Sequence, residues 1–317
     1  MDSSWDKSCI KASTRDVEHM TSLGLESNIN KTPEEKIFYY RRGIGQNPKN
    51  SPILVLIHGY PQTNFMWRHI PGYGRSAPLA GPHDKHSVGL AILEALRKLP
   101  IHPSEQKIII AGHDRGARVC HRIAVDASSQ SQFRLLGTIF MDIVPTLHQW
   151  ASNSSPMGAV MSFHWSFLAN VDFATVMIKA QGGDIFVRSL FTRWAGRNEL
   201  SNKKLDEHDA IDVYAKSFKY ESVIRASCDD YRAGAQEDIK LQEEDQKAGR
   251  KIDIDVLALY SAHYLGKRYD IQEVWSEWMG KGKLEVEGFG DGVGHFIAEE
   301  VPEKTASAMV AFYNKHV

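Results

Sequence analysis

The stretch Ile110-Ala111-Gly112-His113-Asp114-Arg115-Gly116-Ala117-Arg118 places one acid between an apolar run and a helical pattern, with a glycine two residues before it and another two after. That spacing is the signature of a nucleophile elbow, a strained strand-to-helix turn whose small neighbours let a single side chain stand clear of the sheet. Most such turns carry serine, which attacks a carbonyl. An aspartate is already ionised at neutral pH and needs no base to activate it, so it can displace a leaving group from carbon and become an ester. The bland alternative is a tight turn whose aspartate caps the helix that follows. His58-Gly59-Tyr60-Pro61, which closes an earlier apolar run, argues for the elbow. A turn at that place supplies one of two oxyanion-binding amides, and the backbone N–H groups of Tyr60 and Arg115 are assigned to the pair.

These residues need a sheet to hold them. Ile53 to Ile57, Lys107 to Gly112, Leu136 to Asp142 and Asp255 to Tyr260 are apolar runs of strand length, as expected of parallel strands buried on both faces. A further strand is expected over Lys36 to Arg41. Helical patterns at Val88 to Leu99 and Arg118 to Ala127 alternate with the runs, which predicts an α/β class with a mostly parallel, doubly wound sheet. From Ala151 to Gly249 the text turns helical and aromatic and reads as a lid inserted between two strands. The expected organisation is therefore a poorly ordered lead-in over 1–34, a core over 35–150 and 250–317, and a helical lid over 151–249.

Composition narrows the function. The chain has 317 residues, 42% hydrophobic and 24% charged, enough for a full-sized core. A formal net charge of -1 offers no broad basic face for nucleic acid or an anionic membrane, and no apolar run reaches the about 20 residues that span a bilayer. The first thirty residues lack the apolar core of a signal peptide. Cys9, Cys120 and Cys228 form neither a metal-ligand spacing nor a disulfide framework, so a reducing, cytoplasmic setting is expected. The expected partners are a small-molecule substrate and water, with no cofactor and no metal; a homodimer and a monomer are both open.

Five segments taken together are similar to motifs of the fluoroacetate (haloacetate) dehalogenases, a family with the α/β-hydrolase fold. They are His58-Gly59-Tyr60-Pro61-Gln62-Thr63, Gly112 to Arg118, Met141-Asp142-Ile143-Val144-Pro145-Thr146, His164-Trp165, and Asp230-Tyr231-Arg232-Ala233-Gly234-Ala235, in the same order as in the family. The resemblance covers about residues 50 to 317. It implies Asp114 as nucleophile, His295 as base and Asp142 as the acid orienting it, with Asp270 as the alternate acid. It further implies that Arg115 and Arg118 hold a substrate carboxylate while His164, Trp165 and Tyr231 donate to the departing halide. The chemistry agrees: an anionic nucleophile approaching a haloacetate is repelled unless cations neutralise the site, and a guanidinium meets a carboxylate with two parallel hydrogen bonds. Other aromatics of the lid, such as Phe167 and Trp194, are expected to pack.

The chain departs from the family after Trp67-Arg68-His69-Ile70, where Pro71-Gly72-Tyr73-Gly74 follows at once. The family has roughly 20 more residues there, including a strand, as a crossover of that kind requires. One central strand is thus expected to be missing near residues 70–71, leaving Ile53 to Ile57 as an unprotected sheet edge; an error of splicing or gene model is the simplest cause. The implied activity is hydrolytic dehalogenation of a small haloacid. An epoxide hydrolase is the first alternative, although that group has tryptophan after the nucleophile where Arg115 stands, and uses two lid tyrosines. An inactive truncated hydrolase-fold protein or ligand receptor is the second.

Overall fold

The computed structural model describes residues 14–29, 37–46, 51–67, 76, 79, 81–99, 101, 106–127 and 133–317. Five parallel strands lie in the order β3 (Ile53–Ile57), β4 (Gln106–His113), β5 (Phe133–Met141), β6 (Asp255–Ser261) and β7 (Leu284–Phe289). Alternate residues of the apolar runs meet different layers, as a strand period of two dictates. Ile108 and Ile110 share a cluster with Val88 and Ile92 of α2 (Lys85–Arg97) and with Val119 and Ile123 of α3 (Arg115–Val125). Ile109 and Ala111 share the other cluster with Met309 and Phe312 of α15 (Pro302–Asn314). Continuous hydrophobicity in β4 thus reflects cover on both faces. The strand β7 escaped the sequence reading because only Leu284 and Val286 alternate with the solvated Glu285 and Glu287.

Between β5 and β6 comes a run of helices: α4 (Thr146–Ser152), α5 (Pro156–Met161), α6 (Phe163–Ala169), α7 (Val171–Gln181), α8 (Gly183–Trp194), α9 (Glu199–Leu205), α10 (Ala210–Ser217), α11 (Glu221–Ala235) and α12 (Glu237–Ala248). It begins five residues earlier than expected and is packed onto the same continuous core as the sheet, through residues such as Leu168, Ile178 and Phe218. Short helices α13 (Ile271–Ser276) and α14 (Ile297–Glu300) complete the chain. No helix among the described residues is long and apolar enough to cross a membrane.

The expected lead-in is not shapeless over the part described. Thr14–Ser22 forms α1, and β1 (Glu26–Ile29) pairs antiparallel with β2 (Phe38–Arg41), with an ion pair between Glu26 and Arg41 at 2.9 Å. Met20, Phe38 and Tyr40 bury together and supply the apolar anchor.

Among the described residues, β1 and β2 form a sheet of their own, and β3 is the end strand of the larger one. The 68–75 junction, and with it the strand expected to be missing there, lies outside the described residues. Four of the five β3 residues are only partly buried. Between β2 and β3 runs a groove of about 540 Å³, lined by Tyr39 and Arg41 of β2, all of β3, Ile92 and Leu96 of α2, and Met309 and Val310 of α15. It has sheet edges at its sides and helices above and below, which is the place a strand would fill. Among the described residues its lining has no carboxylate, histidine, cysteine or hydroxyl of serine or threonine.

Candidate active site

Parallel pairing brings the carboxyl ends of successive strands level. Ile57 pairs with Gly112, His113 with Met141, and Met141 with Leu259, so His58, Asp114 and Asp142 all emerge at one edge of the sheet. Such an edge is where open α/β sheets bind ligands.

Asp114 sits at φ 45° and ψ -116°, a strained position for a residue with a side chain. The flanking glycines make the turn feasible. A Cβ at Gly112 would lie 2.4 Å from the Gly116 carbonyl carbon, and one at Gly116 would lie 2.4 Å from the His58 carbonyl oxygen. The Asp114 side chain makes no cap hydrogen bond to α3, which removes the capping alternative. Instead the Tyr60 N–H donates to Asp114 Oδ2 at 3.1 Å. Burial pushes the Asp114 carboxyl upward, but His295, Arg115, His113 and Arg118 together outweigh it and hold the group below the usual carboxylate range.

Asp142 follows β5 at φ 53° and is fixed through both oxygens: Oδ1 accepts from the Ser261 N–H at 2.8 Å, and Oδ2 lies 2.6 Å from His295 Nδ1. The proton of the imidazole therefore sits on Nδ1, leaving Nε2 to accept another. Burial alone would lower the His295 pKa; the hydrogen bond and charge of Asp142, with Asp114 and Glu300, raise it instead. Asp270, the alternate acid, is exposed and caps α13 by accepting from the Glu273 N–H at 2.9 Å.

The loop bearing His295 is held from several sides. The buried Glu300 carboxylate accepts from the N–H groups of Gly294 at 2.7 Å, Phe296 at 3.0 Å and Gly196 at 3.0 Å. His113 Nε2 donates to the His295 carbonyl at 2.8 Å, and Gln62 links His113 to Glu299. The contacts through Gly196, His113 and Gln62 were not evident in the sequence, because each joins segments remote along the chain.

Asp114, Asp142 and His295 line a cavity of about 30 Å³ together with Arg118, His164, Trp165 and Tyr231. Space of that size takes about two water-sized groups. Arg118 is buried, with Nη1 donating to the Val144 carbonyl at 2.9 Å and Thr146 Oγ1 at 3.1 Å, both uncharged, while its guanidinium lies 4.5 Å from the centre of the Trp165 ring. Burial and the neighbouring Arg115 lower its pKa to about 10, so it stays a cation at neutral pH. His164 is pushed down by burial to about 3 and stands neutral, with one N–H to give.

Arg115 departs from expectation. Its Nε is paired with Asp230, its Nη2 donates to the Asp230 carbonyl at 2.8 Å, and its guanidinium lies 4.2 Å from the Tyr231 ring centre. It is not among the lining groups. The reason is a buried network: Lys85 Nζ meets Asp230 at 2.6 Å and Asp238 at 3.2 Å, so the carboxylate that draws Arg115 is itself held in place. The reverse miss is Trp194, expected to pack. It lines the cavity, with its ring centre 4.5 Å from that of His164 and 6.0 Å from that of His295. Gln149, Ser162, Tyr264, Leu265 and Arg268 complete the wall and were not singled out.

No protein-family model matches the chain. Among solved structures it is similar to an α/β-hydrolase assignment from Nostoc sp PCC 7120, with a TM-score of 0.76, 29% identity and coverage of 92% of this chain and 98% of that one. A point variant of a Pseudomonas aeruginosa protein assigned as an epoxide hydrolase gives a TM-score of 0.78 at 25% identity, covering 92% and 97%. The chain is an α/β-hydrolase. Two curated relatives align with most of this hydrolase. A fluoroacetate dehalogenase of Burkholderia sp is 26% identical over 283 residues, 83% of this chain and 87% of the relative. A soluble epoxide hydrolase of Corynebacterium sp. is 28% identical over 275 residues, 82% and 89%.

Proposed function

We propose that this hydrolase removes halide from a small haloacid such as fluoroacetate or chloroacetate through an ester on Asp114. The observation that carries the reading is the Arg118 guanidinium, a buried cation bonded to neutral groups, in the same small cavity as the nucleophile. A cation so placed calls for an anionic substrate.

In the first step Asp114 Oδ1 attacks the carbon bearing the halogen, and the electrons of the carbon–halogen bond leave with the halide. Arg118 holds the carboxylate, and Arg115 adds positive charge from across the Tyr231 ring. His164, Trp165 and Tyr231 donate to the halide as its charge develops, and losing one such donor costs roughly 2.7–4 kcal/mol by analogy with an oxyanion donor. In the second step His295 Nε2 takes a proton from water, whose oxygen adds to the ester carbon. The oxyanion forms at Oδ2, where the Tyr60 N–H already points and where the Arg115 N–H is assigned. Collapse expels the hydroxyacid alkoxide, which recovers the proton from His295, and the Asp114 carboxylic acid left behind gives up its remaining proton to solvent, which regenerates the carboxylate. The helices over 146–248 act as the lid.

Epoxide hydrolysis by the same ester route is the second reading. It is favoured by the Corynebacterium relative and by the Tyr231 and Tyr264 side chains in the cavity wall. Only Tyr231 comes from the helical insertion; Tyr264 follows β6. Halide release from fluoroacetate and chloroacetate, beside diol formation from styrene oxide, separates the two. Turnover of the acids alone is expected, and turnover of the epoxide alone overturns the dehalogenase reading.

A further inference from the structure

Arg268, in the loop after β6, lines the same cavity as Arg118. Its Nη2 donates to Ser162 Oγ at 3.0 Å, Tyr269 Oη at 3.3 Å and Ser152 Oγ at 3.4 Å, all neutral oxygens. Gln149 Nε2 also donates to Ser162 Oγ, at 2.9 Å, which leaves that hydroxyl fixed. Asp114, His295 and Arg118 are buried, whereas Arg268 is only half-buried, which makes it the more solvent-accessible of the two lining arginines.

The charge balance gives Arg268 a task. The lining carries two acids, Asp114 and Asp142, and with His295 in its neutral, base-competent form Arg118 offsets only one of them. Arg268 is the second cation of that lining, Arg115 standing across the Tyr231 ring, and in a poorly solvated site its attraction for an anion is felt strongly.

We propose that Arg268 is an anion-capture subsite at the mouth of the cavity: it draws in the substrate carboxylate and delivers it to Arg118. The inference rests on the haloacid reading, since it assumes an anionic substrate. It assigns Arg268 to binding rather than to the displacement.

The test uses the Asp114→Asn protein, which binds without turning over, with fluoroacetate and the uncharged fluoroacetamide as probes followed by fluorine NMR. Adding Arg268→Gln is expected to weaken fluoroacetate binding about tenfold or more and to leave fluoroacetamide unchanged, with Arg268→Lys recovering most of the loss. The fluoroacetate affinity should also fall with salt in the parent and hardly at all in the Gln variant. Equal weakening of both probes would mean that Arg268 merely braces Ser162, and unchanged fluoroacetate binding, or none in the parent, would also overturn the subsite. Salt-sensitive, Arg268-dependent binding of fluoroacetate by a protein that releases no fluoride when Asp114 is intact would uphold the subsite and sink the haloacid reading separately.

Discussion

Asp114, the proposed nucleophile, and His295, the proposed base, are shifted in opposite directions, and the pair of shifts makes a kinetic forecast. Asp114 is held below the ordinary carboxylate range, so the nucleophile is ionised across the working range of pH. His295 is raised above 6.5, so its base form is lost as the pH falls through that higher value. Ester formation should therefore survive mild acid while ester hydrolysis fails. With chloroacetate below pH 6 we expect a burst of chloride close to one per enzyme followed by slow turnover; burst and turnover declining together would contradict the division of roles. Replacing His295 by glutamine should trap the ester at any pH, visible by intact mass as one added carboxymethyl group on the peptide containing Asp114. Asp114→Asn should lower turnover by on the order of 10⁴-fold or more, and full activity of either variant refutes the assignment.

At the scale of elements the unusual feature is β3. Among the described residues this strand of five apolar residues ends the parallel sheet, partly open to a groove, and pairs on one side only. An exposed apolar groove of this kind attracts hydrophobic dyes and neighbouring chains. The folded protein is expected to enhance the fluorescence of anilinonaphthalene sulfonate, and Val310→Lys, on the 57%-exposed rim position of α15, to weaken that binding about twofold or more. Dye binding that ignores the substitution would place the exposed apolar surface elsewhere.

At the scale of the molecule the helical insertion is tied to the sheet layer by buried charge as well as by apolar contact. Lys85 at the start of α2 and Arg115 at the start of α3 converge on Asp230 of α11, and Arg122 of α3 pairs with Asp245 of α12. Removing one member strands the others in a medium that solvates them poorly. Asp230→Asn is expected to destabilise the protein by about 3–5 kcal/mol in urea unfolding. A loss under about 1 kcal/mol would show that the network is not what joins the two parts.

What the sequence determined by itself was local. Apolar runs of strand length set the positions of β3 to β6, because burial on both faces leaves no polar alternation to confuse them. The glycines around Asp114 marked the elbow, because backbone passing within 2.4 Å admits no side chain. Tertiary structure decided everything that depends on which remote groups meet. Asp142, not Asp270, reaches His295 across 153 positions because neighbouring parallel strands end level. Arg115 turned to Asp230, and Arg268 and Trp194 entered the cavity wall, because a charge or an aromatic ring settles wherever the assembled surface offers a partner, which no spacing along one chain can express.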